Sequence, residues 1–140
     1  MKKLLLLTLA IVTLTSLFYC QNSPAPIKRG GIIVYETDGH GLVAAPKDLG
    51  VMDWGSAKTA CDTLTLNGYS DWRLPSEEEL NQLNLNNVID ISFSVNYNYW
   101  SSTELGKGKG FAVSRSFTFR SHQYPCIKLG KCSVRAVRSF

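Results

Sequence analysis

Leu4 to Phe18 is an almost unbroken apolar run, and Lys2 and Lys3 stand directly before it. The run is too short to span a bilayer comfortably and right for the apolar stretch of a signal peptide. The rival reading is a buried N-terminal core helix. The Lys-Lys-then-Leu order and the polar Gln21-Asn22-Ser23-Pro24 break both count against it. No later stretch reaches the ~18 apolar residues that a transmembrane helix needs. The fold must therefore come from the remainder of the 140 residues, which is one domain's worth. At 44% apolar and 19% charged residues over the full chain, the composition is globular and not disordered. The formal charge of +4 includes Lys2 and Lys3, so export lowers it by two and leaves no case for nucleic acid.

The apolar run stops at Cys20, and Gln21-Asn22-Ser23-Pro24-Ala25-Pro26 follows. A Cys at this place before a polar, Pro-containing tether resembles a bacterial lipoprotein signal, in which the Cys is diacylated and becomes the mature N-terminus. Leu17 suits that pattern, whereas Phe18 and Tyr19 are bulkier than its usual residues. The chain thus divides into a signal peptide (1–19), a lipidated Cys20 with its tether (20–29) and a domain (30–140). The expected partner is a membrane, reached through the lipid. Each buried CH₂ of an acyl chain adds ~0.8 kcal/mol to that anchor. The expected location is the cell envelope, at the outer membrane or cell surface; simple secretion or a periplasmic home is the alternative. Of the four cysteines, three then remain to pair, so at most one bridge forms among Cys61, Cys126 and Cys132.

Within the domain, Ile32-Ile33-Val34-Tyr35 is a β-branched strand signal, Thr37-Asp38-Gly39 a turn, and Leu42-Val43-Ala44-Ala45 a second strand. Asp53 to Leu64 has helical spacing: Trp54, Ala57, Cys61 and Leu64 share one face, with Asp53 as N-cap and Asn67-Gly68 as the stop. Ser76-Glu77-Glu78-Glu79 predicts a capping box opening a second helix with Leu80 and Leu83 on its apolar edge. Phe111–Ser114, Ser116–Phe119 and Cys132–Arg138 read as strands. Two early helices followed by short antiparallel strands make an α+β domain.

Gly31-Ile32-Ile33-Val34-Tyr35, His40-Gly41-Leu42-Val43-Ala44-Ala45, Gly68-Tyr69-Ser70-Asp71-Trp72-Arg73-Leu74-Pro75-Ser76 with Glu79-Leu80, Tyr99-Trp100-Ser101-Ser102-Thr103 and Val134-Arg135-Ala136-Val137-Arg138 occur in this order. Together they resemble the Lcl C-terminal domain family, named after a collagen-like adhesin and similar to the Fibrobacter paralogous domain. The resemblance spans residues 30–140. It implies a C-type-lectin-like domain, two helices packed on a twisted antiparallel sheet, with the chain ends close together. It also implies a Cys61–Cys132 bridge from the first helix to the last strand; Cys126–Cys132 is the rival pairing. Closing a loop of roughly 70 residues stabilises a fold by about 4 kcal/mol in the chain-entropy model.

Tyr97, Tyr99 and Trp100, beside Asn96 and Asn98, are candidates for stacking on sugar rings, although alternate aromatics also serve simply to line a core-facing loop. Arg115, Arg120 and His122 are candidates for a basic patch toward acidic glycans, against the plainer reading of a solvated strand face. Asp71-Trp72-Arg73 and Trp100-Ser101-Ser102 read as architecture: Trp fills core, Asp71 and Arg73 satisfy backbone or each other. Arg135 and Arg138 read as structural ion-pair partners. No metal, cofactor or catalytic constellation is expected. His40 and His122 are the only histidines, and no zinc spacing or phosphate loop is present. The expected function is a non-enzymatic binding or adhesion module for a glycan, matrix or protein ligand. A structural or assembly role in the envelope is the alternative. An oxidase like the formylglycine-generating enzymes, which the lectin-like resemblance brings in, comes last, with Cys126 and Cys132 as its dithiol.

Overall fold

The structure, a computed structural model, describes residues 29–89, 98–106, 110–118 and 122–140. Strand β1 (Ile32–Thr37) turns through Asp38 and Gly39 into β2 (His40–Ala44). Both turn residues have positive φ, +51° and +82°, which matches the twist of a two-residue hairpin. A register shift between Ile33 and Tyr35 bends β1. After β3 (Gly50–Met52) comes helix α1 (Trp54–Asp62), capped by Asp53, whose Oδ1 accepts from Ser56 N–H at 3.0 Å. Helix α2 (Glu77–Leu85) opens with the expected reciprocal box: Glu79 N–H donates to Ser76 Oγ, and Ser76 N–H donates to Glu79 Oε2. Strands β4 (Asn98–Leu105), β5 (Phe111–Ser116), β6 (Gln123–Ile127), β7 (Cys132–Val134) and β8 (Val137–Ser139) complete the fold.

The α+β reading holds, but the single antiparallel sheet does not. Among the described residues there are two sheets, β1-β2-β8 and a curled β3-β7-β4-β5-β6, and the β4–β7 contact is parallel. The expected strand over 132–138 is two strands, β7 and β8, one in each sheet. Arg135-Ala136 carries the chain from one sheet to the other. Ser116 ends β5 and no strand continues through Phe117 and Thr118. The partner of β5 is instead β6, with Phe111 opposite Ile127 and Arg115 opposite Gln123. The ends of the domain meet: Gly41 N–H donates to Phe140 O (3.0 Å), and Arg138 Nη1 donates to Arg29 O (3.0 Å).

Strand alternation divides the core in two. Val43 and Ala45 pack with Trp54, Ala57 and Cys61 of α1, whereas Leu42 and Ala44 pack with Leu80 and Leu83 of α2. Trp100 joins the first cluster and its neighbour Tyr99 the second. The β1-β2-β8 sheet thus has apolar packing on both faces, and this places α2 beside β1. Among the described residues no helix is long and apolar enough to cross a membrane.

Candidate functional site

The motif residues are absorbed by the fold. Trp72 is buried, and its indole N–H points at Leu66 O (3.4 Å). Asp71 and Arg73 do not pair with each other, as one reading of the sequence had it. Asp71 receives Arg138 Nε at 2.7 Å and Nη2 at 3.0 Å, and Arg73 holds Glu79 through both terminal nitrogens at 2.6 and 2.7 Å. The Arg138 hydrogen bond leads in lowering the Asp71 carboxyl below its ordinary range. Arg135 donates to Asp48 Oδ1 (2.6 Å) and to Ala45 O (3.0 Å). Ser101 Oγ donates to Val113 O (2.8 Å).

The aromatic platform expected around residue 99 is not at the surface. Tyr99 and Trp100 are both fully buried. Tyr99 donates its hydroxyl to Asp48 Oδ2 (2.7 Å) and meets Phe117 edge to face at 4.9 Å; Trp100 donates to Met52 O (2.9 Å). Neither ring can stack on a sugar, because both faces of this strand are covered. Arg115 is buried too, so it is no part of an exposed basic patch; burial is the main influence lowering its guanidinium below the ordinary value. His122 is exposed, edge to face with Tyr124 at 6.2 Å. Cys20, Tyr97 and Arg120 lie outside the described residues.

The expected Cys61–Cys132 bridge is not formed: Cys61, Cys126 and Cys132 are all free thiols. The turn after β6 brings Cys126 Sγ to 4.0 Å from Cys132 Sγ, and Cys61 stays within the α1 face. Burial, helped by the Asp62 charge, pushes the Cys61 thiol up to about 12.

Among the described residues, β1 and α2 leave a groove of about 420 Å³ between them, lined by Tyr35, Thr37, Glu78, Glu79 and Gln82. Tyr35 and Thr37 are two apart on a strand, so they share a face. Glu78 and Gln82 are four apart on a helix, and Glu79 and Gln82 three apart, so they also share one. Tyr35 is 43% exposed. Burial works to raise the Glu79 carboxyl, but the Arg73 fork and the Ser76 N–H outweigh it and hold it low. Glu78 is also held below its ordinary value, by its own backbone N–H and by the Ser76 hydroxyl at 2.8 Å. At neutral pH the groove therefore presents an aromatic face, two carboxylates, a hydroxyl and an amide. Arg73 neutralises one of those carboxylates.

The sequence reading missed this groove. In sequence, Tyr35 and Thr37 read only as strand and turn, and Glu78 only as part of a helix cap. The usable signal was alternation, which puts Tyr35 and Thr37 together opposite buried Val34. Nothing local announces that α2 lies beside β1. Among the described residues no group of three or more His, Cys, Asp or Glu side chains is arranged to hold a metal ion. In comparison with known proteins, residues 18–138 match the family model for the Lcl C-terminal domain. No curated protein matches the chain.

Proposed function

Since the chain belongs to the Lcl C-terminal domain family, we propose that it is a non-enzymatic binding module whose β1–α2 groove takes a neutral glycan. The domain is of the C-type-lectin-like kind and is displayed on the cell envelope by acylation of Cys20. The observation that carries the binding reading is the groove itself. Its tyrosine ring is exposed next to a hydroxyl, an amide and carboxylate acceptors. Apolar sugar faces pack on aromatic rings, and sugar hydroxyls donate well to carboxylates. The same carboxylates repel sulfate and uronate groups, so the ligand class shifts from acidic to neutral sugars.

A glycan array tests this reading. Wild type binds neutral saccharides, Tyr35→Ala and Gln82→Ala lower the signal at least about tenfold, roughly 1.4 kcal/mol, and Tyr124→Ala leaves it unchanged. Binding confined to sulfated glycans, or indifferent to Tyr35, overturns it. A second reading, an envelope assembly component that binds protein, is favoured by one observation: Phe111, Ile127 and Leu129 are 49%, 51% and 84% exposed around the β5–β6 edge.

A further inference from the structure

Cys126 is the last residue but one of β6, opposite Ala112, and Cys132 opens β7. In the order of the curled sheet, β4 and β5 lie between these two strands. Even so, the sulfurs are only 4.0 Å apart. A disulfide is about 2.05 Å long, so bonding needs the two sulfurs to close by about 2 Å.

The turn that sets this separation is held from several sides. Lys128 N–H donates to Gly110 O (2.9 Å), and Lys128 O accepts from Trp54 N–H (3.0 Å). The Lys128 ammonium lies 4.0 Å from the Trp54 ring centroid and 2.7 Å from Glu104 Oε2. Gly130 N–H donates to Ile127 O (2.8 Å). A Cβ on Gly130 would stand 3.0 Å from that oxygen and 3.3 Å from Cys126 Sγ, so a side chain there would require the turn to give by a few tenths of an ångström.

We propose that Cys126 and Cys132 form a thiol–disulfide exchange site, oxidised by a small-molecule disulfide, and that Cys61 takes no part. Cys126 is the more exposed of the pair. Burial first, and the neighbouring Cys126 second, push the Cys132 thiol up to about 12. The first attack therefore comes from Cys126. Its thiolate attacks one sulfur of the external disulfide, forming a mixed disulfide and expelling one thiolate. Cys132 then loses its proton and attacks the Cys126 sulfur, expelling the second thiolate. Two protein thiols become one disulfide, the external disulfide becomes two thiols, and the two protons end on those products. The bond ties the edge strand β6 directly to β7. The site is separate from the β1–α2 groove and does not depend on the glycan reading.

Peptide mapping of the folded full chain decides the matter. The protein is incubated with oxidised glutathione, then unfolded, alkylated and cut with trypsin, which cleaves at Lys128 and Lys131 between the two cysteines. The expected product joins the Cys126 and Cys132 peptides at a mass about 2 Da below their sum, with Cys61 recovered alkylated. A Cys61–Cys132 link overturns the proposal. So does recovery of Cys126 and Cys132 on separate peptides, whether alkylated or carrying glutathione. The wild-type map needs no variant to fold.

Discussion

Arg135 illustrates how this chain uses the charged residues of its motifs. Its side chain is 7% exposed, with Nε on Asp48 and Nη1 on the Ala45 carbonyl, while Tyr99 donates to the other Asp48 oxygen. A guanidinium can serve two acceptors in fixed directions, which an ammonium cannot copy. Arg135→Ala removes the cation and leaves the Asp48 carboxylate facing a void. The expected loss is about 3 kcal/mol, the low end for breaking a buried pair because Asp48 keeps Tyr99 and some solvent. Urea unfolding measures it; a loss below about 1 kcal/mol, the worth of a surface pair, would mean that Arg135 is not structural. At this scale the sequence was readable in kind and not in pairing. That Arg135 and Arg138 would be ion-pair partners was visible; that Asp48 and Asp71 would receive them was not, because both contacts join residues far apart in the chain.

Among the elements, the helices were the most legible. Their caps are local chemistry: Asp53 before α1, and Ser76 with Glu79 at α2, declare themselves within four consecutive residues. The strands were less so. Cys132, Val134 and Ala136 fit one face of a single strand and Ser133, Arg135 and Val137 the other, and nothing in that alternation says the run changes sheets after Val134. Strand β6 was hidden by Pro125, which a strand tolerates because β6 is an edge. For Tyr99 and Trp100 the sequence offers both a stacking platform and a core-facing lining; both side chains are buried, so the core reading holds, because this strand is covered on both faces. The cap of α2 also carries a pH dependence. The Glu79 carboxyl is held low in the fold, so its stabilisation is complete above the ordinary value near 4.3 and is lost as pH falls through the lower folded value. Asp71 acts in the same sense beside Arg138. Urea midpoints should therefore drop from about pH 4.3 downward, and Glu79→Gln should be weaker at neutral pH with a shallower acid slope. Equal slopes for variant and wild type would remove Glu79 from this account.

At the scale of the whole molecule, the two-sided sheet places a small acidic and aromatic groove at the surface while burying the aromatic cluster that the sequence advertised. Its lining comes from β1 and α2, elements about forty residues apart, so only the fold could bring them together. The proposed anchor belongs to this scale as well. Intact mass of the protein extracted from membranes should show a chain beginning at an acylated Cys20; an unacylated chain cut elsewhere would contradict the lipoprotein reading. The central claim is that the β1–α2 groove takes a neutral glycan. Its most direct measurement is calorimetric titration of an array-positive neutral saccharide into the full chain and into Tyr35→Ala. The account predicts that the variant, equally stable to urea, binds at least about tenfold more weakly. Equal affinity of the two proteins would contradict it.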